Sequence, residues 1–530
     1  VPVENAAMAE RSVIQWDKDD LDAMGLMKVD ILALGMLSAI RRMLQMVDDG
    51  CGQPLKMQDI PAEDPATYEM LCHADSMGVF QVESRAQMAM LPRLRPKNFY
   101  DLVVEVALVR PGPIQGDMVH PYLKRRQGKE RLEKISPAVD AVLARTFGVP
   151  IFQEQVMQLA VVAANFTPGE ADQLRRAMAA WKRKGGLEPF EQKLLAGMAA
   201  NGLPESFARR IIAQIQGFGE YGFPESHAAS FALLVYASAW LKRHHPAAFL
   251  CALLNSQPMG FYSPSMLVQD ARRHGVGVLP PDVTTSDWDC RLEPTGAVRL
   301  GLREINGFTK AAADRIVAVD RKNRPFFDVA DLAARASLQR RDLDLLAAAD
   351  ALLSLAGHRR QAVWAASAAL VQGDLFAGVM APEAPANLPI PSEAENLIGD
   401  YQHLKLTLGR HPLSLLREHL TARRFVSAAE LKIAEHRTPI RAAGIVVGRQ
   451  RPGTATGIVF VTLEDESGLV NIVVHPQLIE KQRRELLGAT LLGVYGQLQK
   501  DGEVVHLVAK RLVDLSSWLG RLETHSRDFH

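Results

Sequence analysis

The chain has 530 residues, of which 48% are hydrophobic and 23% charged, so its composition is that of a globular protein and excludes a disordered or fibrous one. This length is too great for one hydrophobic core and predicts three or four domains. Lysine and arginine number 61 against 60 aspartate and glutamate residues, so a nucleic-acid partner must be argued from local patches and not from net charge.

The four cysteines, at positions 51, 72, 251 and 290, stand far apart and form no C-x-x-C pair. This spacing argues against a zinc knuckle or a disulfide framework and favours a reducing, cytoplasmic setting. The amino terminus has neither the basic nor the apolar stretch of a secretory leader. The longest apolar run, residues 228–241, is too short to span a bilayer and predicts a buried helix, so no membrane partner is expected.

The first half of the chain predicts one short strand followed by many helices. Residues 25–31 alternate apolar and polar side chains, as a half-buried strand does, and residues 32–47 show helical spacing. From residue 61 to about residue 255 most segments predict helices that are separated by proline and glycine breaks.

The second half predicts a connector, a pair of short helices and a small barrel. Residues 276–302 favour strands, and helices near 309–320 and 328–336 have helix-hairpin-helix spacing. A stretch rich in Ala, Pro and Glu at 373–392 predicts a linker. Five segments with alternating apolar and polar residues then predict an oligonucleotide-binding (OB) barrel, at residues 440–448, 458–463, 470–475, 491–498 and 504–512. Asp501-Gly502, between the last two segments, is a hairpin signal.

Asp30 stands on the polar side of the predicted strand, two residues after Lys28. Because aspartate is depleted in strand interiors, one interpretation is a carboxylate ligand for Mg²⁺ in nucleotidyl transfer, with Lys28 close to a triphosphate. The other interpretation is a surface ion pair on an edge strand. One carboxylate is not a two-metal site, so the residues alone leave both interpretations open.

Two basic clusters are candidates for phosphate contacts. The first cluster lies on a predicted helix and consists of Arg175, Arg176, Lys182, Arg183 and Lys184. Asp172 shares a face of this helix with Arg175 and Arg176. The second, Lys124-Arg125-Arg126, follows a rigid Pro-Gly-Pro turn. Arginine can bind phosphate oxygens through two parallel hydrogen bonds, which favours a phosphate contact. The alternative for both clusters is a solvated helix face without a ligand.

Glycine and aromatic residues are interleaved at 217–223, shortly before Ser226 and His227. Such a stretch suits stacking on a base or a hinge. The free N–H groups of a helix start would attract a phosphate near Ser226 or His227. An ordinary helix cap with a hydrogen-bonded histidine is the alternative.

The order of several segments resembles the bacterial C-family DNA polymerases, the family of the DNA polymerase III alpha subunit. Residues 25–35 resemble the palm segment with the family's third catalytic aspartate. Segments of the fingers follow in the family's order, at residues 79–85, 107–113, 152–157, 174–178, 221–227 and 279–282. The chain is therefore identified as a member of this family that covers its carboxyl-terminal part.

Two features resemble the error-prone branch. Pro224-Glu225 stands where the replicative enzymes have Asn-Lys, and the chain ends soon after the predicted barrel. The resemblance implies DNA-directed synthesis across damaged template, as part of the DNA damage response. Primer–template DNA and deoxynucleoside triphosphates are the implied partners.

The implied fold is a multidomain α+β chain with a partial palm, mainly helical fingers, a helix-hairpin-helix region and a five-stranded OB barrel. We expect a palm remnant at 1–75, fingers at 76–275, a connector with the helix-hairpin-helix at 276–370, a linker at 371–395, a helical connector at 396–435, the barrel at 436–516 and a tail at 517–530.

The resemblance also assigns roles. Asp30 is expected to bind catalytic Mg²⁺, and Lys28, Arg175 and Arg176 are expected to contact the triphosphate. Ser226 and His227 would lie in the nucleotide-facing part of the fingers, and the remaining basic residues would contact DNA. The family's paired palm aspartates should precede Asp30 by a long stretch, so the chain alone is expected to be inactive. A DNA-binding scaffold without catalysis is the alternative function.

The predicted linker begins with Gln372-Gly373-Asp374-Leu375-Phe376, which resembles the short peptide by which bacterial polymerases dock on the sliding clamp. Gln372 would form hydrogen bonds, and Leu375 with Phe376 would fill an apolar pocket. The alternative is that both apolar side chains fold back on the protein. Recruitment through translesion accessory proteins is a further expectation for this branch.

Overall fold

The computed structural model describes residues 1–6, 12–16, 18–26, 33–48, 52–109, 116–184, 188–217, 224–260, 262–369, 388–451, 457–501, 504–520, 522 and 527–529. The predicted strand at 25–31 therefore lies largely outside the described residues. At the amino terminus Val3–Asn5 pairs antiparallel with Ser12–Ile14, and the short helix Lys18–Ala23 follows.

A first helical body is built around the apolar helix Glu225–His244, which packs against Phe99–Leu108. Within the described ranges no helix combines the length and apolar character that crossing a bilayer requires. The first body also includes a 3₁₀ turn, Met57–Asp59, and these helices: Leu34–Met46, Pro65–Cys72, Arg85–Leu94, Gly116–Arg126, Pro246–Asn255 and Pro264–Arg273.

A second helical body is inserted in the chain between two helices of the first body and has a hydrophobic core of its own. Leu159, Leu174, Met178, Leu194 and Ile211 are central to that core. Its elements are Pro137–Leu143, the 3₁₀ turn Ala144–Thr146, Gln153–Ala164, Pro168–Lys184, Glu188–Ala200 and Glu205–Gly217. The two bodies have the helical character that is predicted for the fingers, and the first of them also includes Leu34–Met46 and Pro65–Cys72, which lie within the range predicted as a palm remnant.

The predicted strand-rich connector forms a small sheet. Val298–Arg299 lies between Val278–Leu279, which is parallel to it, and Arg291–Leu292, which is antiparallel. Thr309 caps the first helix of the helix-hairpin-helix region, where its hydroxyl accepts a hydrogen bond from the N–H of Ala312. The region consists of the 3₁₀ turn Leu302–Glu304 and the helices Lys310–Ala318, Val329–Arg335, Arg340–Ala348, Leu353–Ala356 and Arg359–Ala368.

A helical connector joins this region to the barrel. Its helices are Glu393–Leu404, Pro412–Ala422 and Ala428–Ile433. The first begins inside the stretch predicted as a linker, because Ser392 and Glu395 form a reciprocal capping box that fixes its start.

The carboxyl-terminal region is a closed five-stranded barrel, as the sequence predicts. The first strand pairs with both the second and the fourth, and the third and fifth strands run parallel. Gly496 permits close approach there, because a Cβ atom would lie 2.4 Å from the Val508 carbonyl oxygen. The five strands are Pro439–Gln450, Val459–Asp465, Gly468–Val474, Leu491–Asp501 and Val504–Asp514.

Three features of the barrel differ from the sequence prediction. Two short helices, Pro476–Lys481 and Arg483–Gly488, connect the third and fourth strands. The 3₁₀ turn Ser516–Leu519 follows the last barrel strand. Arg527–Phe529, in the predicted tail, pairs parallel with the first strand.

Candidate nucleotide and nucleic-acid site

Ser226 and His227 lie in the first turn of the helix Glu225–His244, where the sequence predicts a helix start. Ser226 is exposed. His227 is half-buried, and its ring centroid lies 4.3 Å from that of Phe231, which packs edge-on against Phe80. A helix amino terminus beside an aromatic surface can receive a group that is anionic at one end and aromatic at the other.

Glu225 links the two helical bodies at this helix start. Its carboxylate accepts a hydrogen bond from the Tyr100 hydroxyl at 3.0 Å and pairs with Arg145 at 3.2 Å. The guanidinium carbon of Arg145 lies 3.8 Å from the centre of the Tyr100 ring, and the N–H of Glu225 donates to Glu154. Burial, with the hydrogen bond to Glu225, raises the pKa of Tyr100. Tyr100, Arg145 and Glu154 were not predicted, because they are distant from Glu225 in sequence.

The first basic cluster lies on the helix Pro168–Lys184. Asp172 pairs with Arg175 at 2.9 Å and with Arg176 at 2.8 Å, and the hydrogen bond from Arg175 lowers the pKa of Asp172. The Arg176 side chain is 74% exposed. The two guanidinium groups thus surround one carboxylate. The side chains of residues 182–184, which include the predicted contacts Lys182, Arg183 and Lys184, lie outside the described part of the structure.

The second basic cluster closes the helix Gly116–Arg126, and its three members have different surroundings. Lys124 is exposed. Arg125 donates to Glu130 at 2.8 Å and to two backbone carbonyl groups. Arg126, 14% exposed, donates to both carboxylate oxygens of Asp101, at 2.6 and 2.7 Å. Arg126 is therefore engaged inside the fingers, and a DNA contact at this cluster depends mainly on Lys124.

One group of side chains in the described residues has the spacing of a metal site, namely Asp75, Asp270 and His274. The ammonium group of Lys242 lies 2.8 Å from Asp75 and 2.9 Å from Asp270. The hydrogen bond to Asp75 raises the pKa of His274. Because the buried Lys242 supplies the positive charge that a cation would bring, we assign no metal to this group.

Five of the predicted site residues cannot be placed. Asp30 and Lys28 lie outside the described residues, as do Gln372, Leu375 and Phe376. Metal binding, triphosphate binding and clamp docking at these positions therefore remain predictions.

One group of cations on the barrel was missed by the sequence analysis. Arg441 and Arg511 both lie next to Tyr495, although the three residues come from three different strands. No run of basic residues marks them in the sequence, and strand register alone brings them together.

Four family models match successive parts of the chain. The Bacterial DNA polymerase III alpha NTPase domain matches residues 1–33, and the Bacterial DNA polymerase III alpha subunit finger domain matches residues 36–202. A Helix-hairpin-helix motif matches residues 275–362, and an OB-fold nucleic acid binding domain matches residues 440–515. The predicted fingers, helix-hairpin-helix and barrel are thereby confirmed.

Curated proteins named error-prone DNA polymerase are similar over the whole chain. The protein from Dechloromonas aromatica (strain RCB) is 85% identical over 530 residues, that from Azoarcus sp. (strain BH72) 65% over 543, and that from Pseudomonas aeruginosa 60% over 536. Each comparison covers 100% of this chain and 51% or 52% of the relative. The chain spans about half the length of the curated relatives it matches.

Proposed function

Because this chain belongs to the bacterial C-family DNA polymerases, the family of the DNA polymerase III alpha subunit, we propose that the whole protein is a DNA-directed DNA polymerase of the bacterial cytoplasm. The observation that carries this proposal is the order of the matched regions, from fingers through helix-hairpin-helix to OB barrel. Fingers supply a nucleotide-binding surface, and the other two regions are of nucleic-acid-binding types.

We further propose that the enzyme belongs to the error-prone branch and copies damaged template in the DNA damage response. The name of its relatives supports this assignment. So does Glu225, whose carboxylate accepts a hydrogen bond from Tyr100 and pairs with Arg145. A lysine at this position, as in the replicative pattern, would repel Arg145 and has no acceptor for the tyrosine hydroxyl.

The proposed reaction joins a primer 3′-hydroxyl to the α-phosphate of a deoxynucleoside triphosphate and releases pyrophosphate. Arg175 and Arg176 would hold the triphosphate, with Lys28 nearby, while Ser226 and His227 would face the nucleotide. Lys124, together with Lys182, Arg183 and Lys184 of the other helix, would hold primer–template DNA.

Magnesium is proposed as the metal of the whole enzyme. Carboxylate oxygens suit Mg²⁺, and Asp30 is the ligand that the resemblance places in this chain. Bound there with the further carboxylates that the family uses, Mg²⁺ would stabilise the negative charge that develops on the phosphate oxygens.

Primer extension by the full-length protein tests this function. We expect nucleotide incorporation on a primed template, and Asp30→Ala should lower kcat by about a hundredfold or more while the Kd for DNA stays unchanged. For the 530-residue chain alone we propose the second candidate, DNA binding without synthesis, because Asp30 is the one family aspartate recognised in it. Absence of incorporation by the full-length protein on an undamaged and a damaged template would contradict the polymerase assignment.

Clamp docking by the peptide at Gln372, Leu375 and Phe376 is a separate proposal. Burying the two apolar side chains is worth roughly 1.5–3 kcal/mol each. Leu375→Ala/Phe376→Ala should therefore bind the sliding clamp at least about tenfold more weakly than the wild type by calorimetry. Equal binding by both would return the segment to a linker and favour recruitment through accessory proteins.

A further inference from the structure

We define the junction cluster as four residues where the two helical bodies meet: Tyr100, Arg145, Glu154 and Glu225. Tyr100 and Glu225 lie on helices of the first body. Arg145 lies in a 3₁₀ turn of the second body, and Glu154 lies in the first turn of the helix that follows. The junction cluster therefore connects two bodies whose hydrophobic cores are separate.

Glu225 takes part through both its side chain and its backbone. One carboxylate oxygen accepts a hydrogen bond from the Tyr100 hydroxyl at 3.0 Å, and the same oxygen lies 3.2 Å from a guanidinium nitrogen of Arg145. The backbone N–H of Glu225 donates to the Glu154 carboxylate at 3.0 Å. A single residue thus binds one group of the first body and two groups of the second.

Tyr100 also contacts Arg145 directly. The guanidinium carbon of Arg145 lies 3.8 Å from the centre of the Tyr100 ring, which is within the range of cation–π attraction. Arg145 is therefore oriented by a ring and a carboxylate, although its side chain is 65% exposed. Burial and the bond to Glu225 raise the pKa of Tyr100, so its hydroxyl keeps the proton that it donates.

The neighbouring contact between the two bodies is apolar. Val149, Ile151 and Phe152 precede the helix Gln153–Ala164 and are buried in the core of the first body. Apolar attraction has no preferred direction, so this contact holds the bodies together without fixing the angle between them. Hydrogen bonds and ion pairs do have preferred directions. The junction cluster is therefore the part of the contact that fixes the orientation.

The two bodies carry different halves of the proposed nucleotide site. Ser226 and His227 follow Glu225 in the same helical turn of the first body. The arginines that are proposed to hold the triphosphate lie on Pro168–Lys184 of the second body. That helix packs against Gln153–Ala164, whose first turn accepts the hydrogen bond from Glu225. Glu225 thus adjoins one half directly and is connected to the other half through two packed helices.

We propose that Glu225 is a positioning residue for deoxynucleotide binding, which through Tyr100 and Arg145 fixes the distance between the two halves of the nucleotide site. The inference rests on the proposed function, because both halves are assigned from it. A carboxylate that faced a triphosphate would repel it. Its bonds to Tyr100 and Arg145 instead direct the charge of Glu225 into the contact between the bodies.

Steady-state primer extension by the full-length enzyme tests this role. Glu225→Lys repels Arg145, and it should raise the KM for deoxynucleotide about tenfold, because a small displacement prevents the two halves from binding one ligand together. The kcat should change less than the KM, since the proposed metal ligand Asp30 is not part of the junction cluster. Tyr100→Phe removes only the hydroxyl and should raise the KM by a smaller factor.

A charge-reversed double variant separates positioning from general damage to the fold. Arg145→Glu/Glu225→Lys restores the attraction between the two positions, so its KM should return most of the way to the wild-type value. A KM that stays as high as in Glu225→Lys alone would overturn the positioning role.

Glu133→Lys is the matched control. Glu133 pairs with Arg210 at 3.0 Å, and both side chains are about half exposed, at 57% and 43%. The control introduces the same repulsion outside the junction cluster and should leave the KM unchanged. Urea denaturation should give similar midpoints for all variants, because exposed ion pairs contribute little to stability.

The other outcomes are equally decisive. An unchanged KM in Glu225→Lys would overturn the positioning role and leave the polymerase assignment intact. A KM that falls would also overturn it, because a lysine that binds the triphosphate directly would mean that position 225 faces the nucleotide. Absence of incorporation by the wild-type enzyme would contradict the polymerase assignment, and this inference with it.

Discussion

The basic residues of the fingers and those of the barrel differ in what faces them. In the fingers, Asp172 lies between Arg175 and Arg176, and Asp101 binds Arg126. On the barrel, Arg441 and Arg511 face the ring of Tyr495, and Arg423 faces the ring of Trp518. The two regions therefore hold similar numbers of cations but differ in how much of that charge is available to a ligand.

This difference has a structural origin. A helix places residues three and four apart on one face, so a basic run that includes an acid neutralises itself locally. Barrel strands instead bring together residues that are far apart in sequence, and such cations meet an acid only if register supplies one. A run of basic residues in the sequence is therefore a weaker indication of free positive charge than a group of basic residues that neighbouring strands bring together.

The largest effect is expected where charge is most fully enclosed. Arg126→Ala should lower the free energy of unfolding by about 3–5 kcal/mol, because it leaves the buried Asp101 carboxylate without its partner. Urea denaturation of the 530-residue chain measures this. Lys124→Ala, on the same helix turn, should change it by less than about 0.5 kcal/mol.

A double variant sharpens the interpretation of this pair. Replacing both partners, as in Asp101→Leu/Arg126→Met, should restore most of the lost stability, since no uncompensated charge stays buried. Equal stability of Arg126→Ala and the wild type would mean that the arginine is solvated and free for DNA after all.

The barrel also has an enclosed charge, and it makes stability depend on pH. Burial raises the pKa of Glu464 from its ordinary value of 4.5 to about 7, although the positive charge of Arg273 acts in the opposite direction. Because the folded protein holds the proton of Glu464 more tightly than the unfolded chain does, the contribution of Glu464 to stability is full below pH 4.5. This contribution is lost as the pH rises through 7. The loss is about 3 kcal/mol, at about 1.4 kcal/mol for each pH unit.

Glu464→Gln removes this dependence. The unfolding free energy of the variant minus that of the wild type should increase by about 3 kcal/mol between pH 4.5 and pH 7.5. Burial lowers the pKa of His411 to about 4, so its contribution to stability is lost in the opposite direction, as the pH falls from 6.5. His411 is present in both proteins, so this contribution cancels in the difference between them. A difference that does not vary with pH would show that Glu464 is ionised and solvated.

The exposed arginines of the fingers should affect nucleotide binding to a smaller extent. Arg175→Ala or Arg176→Ala in the full-length enzyme should raise the KM for deoxynucleotide about tenfold, the lower end of what a charge-assisted hydrogen bond contributes. The lower end is expected because Asp172 already occupies both guanidinium groups. Arg209→Ala, which removes an exposed arginine paired with Glu205 on another fingers helix, is the control. An unchanged KM in both variants would make this helix a solvated face.

The sequence predicts the fold more completely than the site. Helical spacing and period-two segments locate the main helices and all five barrel strands, since these patterns are local. The contact of Glu225 with Tyr100 and Arg145 and the pairing of Arg441 with Tyr495 depend on tertiary packing and strand register. The carboxylate of Asp101 could not be assigned to Arg126 for the same reason.

The smallest expected effect tests the neutralising role of Asp172 directly. Asp172→Asn keeps the shape of the side chain but removes its charge, so both guanidinium groups become available to phosphate. Because an exposed ion pair contributes little, the KM for deoxynucleotide should fall only modestly, by roughly 1.4- to 5-fold, in primer extension by the full-length enzyme. Glu205→Gln removes the same kind of charge beside Arg209 and should leave the KM unchanged. A KM that rises in Asp172→Asn would show instead that the carboxylate orients the two arginines toward the nucleotide, and the fingers would then present their charge as effectively as the barrel does.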